Sequence, residues 1–434
     1  MLQALYTQSV TTDWTFYVPI LGILLLMILG VPIWVALGLG TVALLSLTST
    51  LPLGLIGETM FSSVDSFTLI ALPLFILTGD VIVTSRLSDK LLDFAEALMG
   101  WLHSGLGTST ILGCGFFGAI SGSNAADCAA VGRITIPRLV ERGYPITYAA
   151  AIVASGACTA ILIPPSIAYI IIGITLGVSA SALFTAAFVP GVFFLAWIIG
   201  TNVVINRIRG YEQKRSTFSV RRVVDTAWDA RYALLIPVII LGGIYTGTFT
   251  PTESASVAVL VAMTIGFATK RLRLADFPGM MERSAEVTGI IGPIIGVALV
   301  LSQALSALGI PSAITQGLSP FVDSPAIIIW MMFLIFLIAG CLMETTPLIL
   351  LLSPLLWPLA ETIGMDVVHF SVFMISSLAI GFITPPIGLN LFVVASLTGK
   401  PILKIASQAF PFVVGMCIPT LLIAFYPELL IFKF

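Results

Sequence analysis

The sequence predicts an all-α polytopic membrane protein built from two inverted-topology repeats, each with five transmembrane helices and one re-entrant helical hairpin. Three observations carry this reading: the composition, the clustering of basic residues, and a self-similarity at one constant offset. Of 434 residues, 58% are hydrophobic and only 9% charged, and the mean hydropathy is +1.11. Soluble domains carry about 25% charged residues, so most of this chain must face lipid or other buried helices. Only helices and closed barrels satisfy their backbone in hydrocarbon. Barrel strands alternate apolar and polar residues, whereas 17–30 and 327–343 are continuously apolar. The chain is therefore helical.

The 19 basic residues give the count of crossings. They fall at Arg86 and Lys90, at Arg133, Arg138 and Arg142, and in a block from Arg207 to Arg231. Further groups are Lys270 to Arg283, Lys400 with Lys404, and Lys433. Basic residues favour the cytoplasmic side, so each internal group marks a cytoplasmic loop. Residues 1–85 then hold three helices, near 15–30, 33–49 and 67–85, and start outside. Residues 143–206 and 232–269 make two crossings each; 284–399 goes out and returns; 405–432 leaves the C-terminus outside. The total is ten crossings. No cleavable signal peptide is expected, because nothing basic precedes Arg86.

Two stretches do not fit as single spans. Residues 104–140 are flanked by basic residues at both ends, and their middle reads Ser121-Gly122-Ser123-Asn124, a turn composition. A hairpin entering from the cytoplasm and turning inside the membrane fits. Residues 325–360 behave likewise from the outside, turning near Glu344-Thr345-Thr346-Pro347. A shift of 221 residues aligns Pro137 with Pro358, Gly143 with Gly364 and Ser155 with Ser376. It also takes Pro164-Pro165 onto Pro385-Pro386, and the first proposed turn onto the second. Five crossings per half is an odd number, so the halves insert upside down relative to each other, as in many secondary transporters.

The proline pairs should unwind two helices, because proline removes a backbone donor and its predecessor leaves the α region. Unwound backbone exposes carbonyl oxygens, and the two turns add mostly neutral oxygens. That donor set suits Na⁺; a proton relay would need buried carboxylates or a histidine chain. Asp127 and Glu344 are the acidic residues nearest the turns; each is a candidate to join a cation site or receive a proton, and capping a half-helix is the plain structural alternative. Asp80 and Arg86 read as interfacial anchors. Segments 50–66, 88–102, 210–230 and 271–287 read as amphipathic arms, with Leu91, Phe94, Ala95, Leu98 and Leu102 on one face of the second. The five cysteines and two histidines form no metal-ligand pattern and are expected to pack. With no HExxH or GxSxG, an enzyme is not expected, and the net charge of −2 argues against nucleic acid.

Several stretches resemble one family, the large membrane subunit of tripartite ATP-independent periplasmic (TRAP) transporters, in its unfused form. They are Ala71-Leu72-Pro73-Leu74-Phe75-Ile76-Leu77, the run from Ser121 to Asp127, and Ile136-Pro137 with Arg142-Gly143-Tyr144. Leu162-Ile163-Pro164-Pro165-Ser166, Pro251-Thr252-Glu253-Ser254-Ala255 and the run from Gly381 to Gly388 follow in the family's order. The resemblance implies an ion-transporter-superfamily elevator and a Na⁺-coupled importer of an organic acid anion, of dicarboxylate or sialic-acid type. It implies two partners, a small four-helix membrane subunit and a soluble periplasmic binding protein, and a bacterial inner-membrane location, where the sidedness read from the basic residues puts both termini in the periplasm. Two or more Na⁺ ions and no organic cofactor are expected.

By that similarity one Na⁺ site comprises Ser121, Gly122, Ser123, Asn124, Ala160, Ile163 and Pro164. The other comprises Glu344, Thr345, Thr346, Gly381, Thr384 and Pro385. Substrate would lie between the tips, with Ser123, Asn124, Asp127, Thr345, Thr346 and Asn390 as its candidates. The expected division is scaffold helices over 1–66, transport elements over 67–191, scaffold and arms over 192–287, transport elements over 288–412, and a last scaffold helix over 413–434. Within the transport elements the hairpins span about 104–140 and 325–360, and the broken helices about 145–178 and 366–398. The runner-up is a self-sufficient Na⁺/dicarboxylate symporter that needs no binding protein.

Overall fold

The computed structural model describes residues 14–48, 51–212 and 217–430, and every regular element among them is helical. Lys433, Lys214, Arg215 and both chain ends, whose sidedness the basic residues predict, lie outside the described residues. The chain begins with α1 (Trp14–Ile28), α2 (Ile33–Thr48) and the short α3 (Leu55–Val64). A 3₁₀ turn leads into α4 (Ala71–Thr84), followed by α5 (Leu87–Met99). Then come α6 (Gly105–Ser121), α7 (Asn124–Glu141), α8 (Ile146–Ala157) and α9 (Ile167–Leu176). Four longer helices follow: α10 (Ala180–Arg209), α11 (Val220–Tyr245), α12 (Pro251–Ala268) and α13 (Phe277–Ala307). After α14 (Ile310–Gly317) the chain forms α15 (Pro325–Leu342), α16 (Thr345–Thr362), α17 (Val367–Gly381), α18 (Leu389–Thr398) and α19 (Ile402–Phe425).

Seven helices among the described residues are long and apolar enough to cross a membrane: α4 with its 3₁₀ lead-in, α10 to α13, α15 and α19. The others that are apolar are shorter, and α8–α9 and α17–α18 are each one run cut in two. Large apolar side chains point outward, among them Trp14, Leu21 and Leu25 on α1 and Trp228 and Val238 on α11. A monomer in water rarely shows such a continuous apolar exterior; here the counterpart is acyl chain.

The element bounds themselves recur at the offset read from the sequence. A shift of 221 takes Asn124 and Glu141, the ends of α7, onto Thr345 and Thr362, the ends of α16. The same shift takes the start of α8 onto the start of α17, and the cis Pro164–Pro165 peptide onto the cis Pro385–Pro386 peptide. Gly143 and Gly364, also related by it, both have positive φ. The first segment of each cut helix is central: Tyr148–Ala157 of α8 and His369–Gly381 of α17 are buried throughout. The second segment then crosses to the other half. Helix α9 packs on α16, and α18 packs on α7 and α8.

The arm at α5 differs from its expected setting. Its apolar face does not lie in a lipid interface but is covered by α6, with Phe94 stacked on Phe116 at 5.8 Å, and by α11. The polar face carries an ionic seam. Asp93 lies 3.5 Å from Arg138, and Glu96 lies 3.3 Å from Arg222 and 3.8 Å from Arg142. Lys90 lies 3.6 Å from Asp229. Half-exposed pairs such as these contribute about 0–1 kcal/mol each, so they orient α5 between hairpin and α11 more than they stabilise it. Likewise the arm expected over 271–287 is not separate, since most of it is the first part of the continuous α13.

One carboxylate closes the base of the first hairpin. Glu212 is buried and accepts the Leu106 N–H at 3.2 Å and the Tyr144 hydroxyl at 2.8 Å, with Arg142 3.8 Å away. It thereby satisfies a first-turn donor of α6 that no intrahelical carbonyl reaches. Burial pushes its carboxyl above the usual carboxylate range, while the bonds from Tyr144 and Leu106 and the Arg142 charge draw it part of the way back. Glu212→Ala, which orphans both donors, should destabilise the protein by about 1–3 kcal/mol, read as a drop in the thermal midpoint in detergent. Glu212→Gln keeps an acceptor and should lose less. Because the folded state binds this proton more tightly than the unfolded chain, wild-type stability should fall as pH rises from the unfolded carboxyl pKa through the raised folded one. Glu212→Gln should lack that slope.

Candidate substrate and cation site

The two hairpins turn where the sequence places their turns, and for a local reason. Gly122 follows α6 with φ +58, the left-handed conformation that a side chain disfavours. A Cβ there would also meet the Pro165 carbonyl oxygen at 2.9 Å. The first tip is thus pressed onto the first break. In the second half Met343 and Glu344 make the turn in extended conformation, and α16 starts at Thr345. The Ile387 and Gly388 N–H groups donate to the Cys341 carbonyl at 3.3 and 3.2 Å, so the second break is bonded to its own hairpin.

Hairpin and break cross closely in both halves. A Cβ on Gly118 would stand 2.7 Å from Ala160 Cα, and one on Gly381 would stand 2.6 Å from Gly340 Cα. At the first break Ser166 caps the new helix, its hydroxyl donating to the Ile161 carbonyl at 2.8 Å and accepting the Ala168 N–H at 3.2 Å.

Both tips face one cavity of about 590 Å³. Ser121, Gly122, Ser123 and Asn124 line it from the first tip, and Glu344, Thr345 and Thr346 from the second. Ile161, Ile167 and Ala168 line it from the first break, and Phe382 and Leu389 from the second. Asn124 is 4% exposed, and neither its amide nitrogen nor its oxygen has a protein hydrogen-bond partner. Asp127, one turn further along α7, is fully buried and does not line the cavity, contrary to its expected place against substrate, and both its oxygens also lack a partner among the described residues. It does not cap α7, whose first turn takes no side-chain bond. A carboxylate or amide buried without a bond costs several kcal/mol, so these oxygens fit a bound cation.

Other candidate residues sit elsewhere. Asn390 does not line the cavity: it is fully buried and donates to the Ala154 carbonyl at 2.9 Å, fastening α18 to α8. Ala160, Ile163 and Pro164 are buried behind the first tip. Gly381 is buried against the second hairpin, the Thr384 hydroxyl donates to the Ile380 carbonyl at 2.9 Å, and Pro385 is exposed. Four cysteines are buried, Cys417 is half-buried, and none is in a disulfide. His369 contacts the Ile423 carbonyl at 2.7 Å as a packed residue.

Charge at the cavity wall was missed by reading the chain linearly. Asp80, whose expected place is the membrane interface, lines the cavity and holds Arg283 through bonds of 2.8 to 3.1 Å. Arg133 and Asp89 line it too. A signal existed for Arg133: with Ala126, Ala129 and Ala130 it falls at helical spacing on one face of α7.

A family model described as "Tripartite ATP-independent periplasmic transporter, DctM component" matches residues 20–429. The chain belongs to this family. The large permease protein DctM of a C4-dicarboxylate TRAP transporter from Pseudomonas aeruginosa is 34% identical over 85% of this chain and 86% of its own length. The sialic acid TRAP transporter large permease SiaM of Vibrio cholerae is 30% identical over 94% of this chain and 96% of its own. The isethionate TRAP transporter permease DctMQ of Oleidesulfovibrio alaskensis is 33% identical over 94% of this chain, which spans only 64% of that relative. In fold, the crystal structure of the Alcanivorax borkumensis YdaH transporter superposes with a TM-score of 0.60 at 13% identity, covering 86% of this chain and 87% of that one.

One stretch that marks the TRAP resemblance turns out to be architectural. Pro251-Thr252-Glu253-Ser254 starts α12, where Thr250 and Glu253 form a reciprocal capping box with bonds of 3.3 and 2.8 Å. Thr252 and Ser254 then donate to carbonyls of neighbouring elements, Phe67 and Ile240.

Adding a methyl at either close crossing should wedge hairpin from break. Gly118→Ala and Gly381→Ala are each expected to cost about 1–3 kcal/mol, because backbone, not a flexible side chain, stands in the way. Gly200→Ala, whose Cβ would meet nothing within 4 Å, should cost nothing. Thermal midpoints of the three purified variants make the comparison.

Proposed function

We propose that this TRAP large permease is a Na⁺-coupled secondary importer of an organic acid anion. The observation that carries the reading is the convergence of two hairpin tips and two helix breaks on one cavity. Each tip starts a helix, α7 or α16, and the positive end of a helix favours an anion. Beside the first tip, Asn124 and Asp127 hold unbonded oxygens of the kind that Na⁺ accepts. Glu344 at the second tip supplies another carboxylate to the cavity. Cations bound beside these oxygens would offset their charge and let an anion approach the tips. Na⁺ loading and substrate loading would then be linked, which is what coupling requires.

Counting α8–α9 and α17–α18 as one interrupted span each, and α6–α7 and α15–α16 as hairpins, gives ten crossings and an inverted pair of halves. The cavity is lined by Arg133 and Arg283, members of the basic groups that mark the cytoplasmic side. It therefore corresponds to an inward-open state. A hairpin-and-break unit moving as a body across the membrane would present the same tips to the other side, an elevator movement. Each inward positive charge gains about 2.3 kcal/mol per 100 mV, so two Na⁺ ions give useful concentrating power. Family membership favours a small membrane subunit and a periplasmic binding protein as partners, and an inner-membrane location. Relatives are named for C4-dicarboxylate, 2,3-diketo-L-gulonate, sialic acid and isethionate, which supports a small organic anion as the substrate.

Ser123→Ala and Asn124→Ala should shift the Na⁺ dependence of uptake to higher concentration while leaving membrane insertion intact. The readout is initial uptake rate against Na⁺ in proteoliposomes holding the permease, its membrane partner and added binding protein. An unchanged Na⁺ profile in both variants would remove the first cation site.

A further inference from the structure

We infer that Arg133 is a second anion-holding point in the transport cavity and sets a preference for a ligand with two anionic ends over one with a single anionic end. This deepens the proposed import function and rests on it. Arg133 lies on α7 with its side chain exposed and lining the cavity. Among the described residues no carboxylate comes within 4 Å of it. The other cavity arginine differs: Arg283 is held by Asp80 at 2.8 Å. Arg133 is thus the cavity cation whose charge remains for a ligand.

Its placement on the helix supports a two-point grip. Ala126, Ala129 and Ala130 line the cavity between the tip and Arg133, and their small side chains leave room for a ligand there. From Ala126 to Arg133 the helix rises about 10 Å. Helical side chains lean toward the N-terminus, so the guanidinium reaches back toward the tip and shortens that gap. At the far end are the N-terminus of α7 and Asn124, which is 4% exposed with an unpartnered amide. One carboxylate at the tip and a second on Arg133 would span the alanine stretch. A guanidinium pairs bidentately with a carboxylate, so it selects for a second anionic end and not merely for size.

Asp89, Asp80 and Glu344 also face the cavity. They oppose any anion lying close to them and leave the α7 wall as the favourable path. Asp89 offers a rival role for Arg133, as the other half of a mouth-closing ion pair.

The test measures thermal stabilisation of the purified permease with its membrane partner in NaCl, using succinate as the dianion probe and isethionate as the monoanion probe. Arg133→Gln, Arg133→Lys and Asp89→Asn are compared with wild type. Arg133→Gln should weaken succinate by at least about ten-fold, equivalent to about 1.4 kcal/mol, and isethionate by much less. Arg133→Lys should recover part of the loss, Asp89→Asn should not reproduce it, and the Na⁺ midpoint measured without anion should stay put in all three. Equal succinate affinity in wild type and Arg133→Gln overturns the assignment while leaving anion import standing. The same loss in Asp89→Asn overturns it in favour of a mouth-closing pair. Stabilisation of wild type by neither anion counts against both the assignment and the import reading.

Discussion

Backbone that leaves its helix inside hydrocarbon must find another partner in the protein, and the rest of this molecule is arranged around four places where it does so. These are the tips at Gly122 and Glu344 and the breaks at the two proline pairs. Each break is covered by a hairpin at backbone distance, Gly118 on Ala160 and Gly340 on Gly381. The second break is also bonded to its hairpin through the Cys341 carbonyl. Those contacts demand glycine or alanine.

The crossing of α9 to α16 and of α18 to α7 follows from the same requirement. A break covered only by its own hairpin would leave its second segment in lipid. Exchange between halves buries one face of that segment, Asn390, Leu391 and Val394 in α18, and draws the tips toward a shared cavity. Asn390 serves this crossing: its amide bond to Ala154 fastens α18 to α8. That explains why a polar residue just beyond a break does not face substrate. At the base, Glu212 performs a similar closing role for α6, reaching a helix start that lies 106 residues earlier in the chain.

Most of the hairpins and breaks could be read without coordinates. The turn composition at Ser121–Asn124 and the doubled prolines are local signals, and local conformational preference acts over a few residues. The charges of the cavity wall were not legible in the same way. In the linear chain Asp80 looks like an ordinary end-of-helix residue and Arg133 like one more marker of the cytoplasmic side, and what separates them is which neighbours arrive from elsewhere. Asp80 meets Arg283, 203 residues away, whereas Arg133 meets open cavity. The α5 arm teaches the same lesson. Its amphipathic period was correct, but period alone cannot say whether lipid or protein covers the apolar face.

By itself the scarcity of charge, 9% of residues, determined that the chain spans a membrane, and its continuous apolar runs determined that it does so as helices, because hydrocarbon permits only helices and closed barrels. The constant offset determined that the hairpin-and-break unit occurs twice, since matched turns and prolines impose matched geometry wherever they occur. Only the tertiary structure decided which oxygens are left without partners among the described residues and which arginine of the cavity wall lies without a carboxylate beside it. Those properties belong to pairs of groups brought together by folding, and a sequence specifies each member of a pair without specifying their distance.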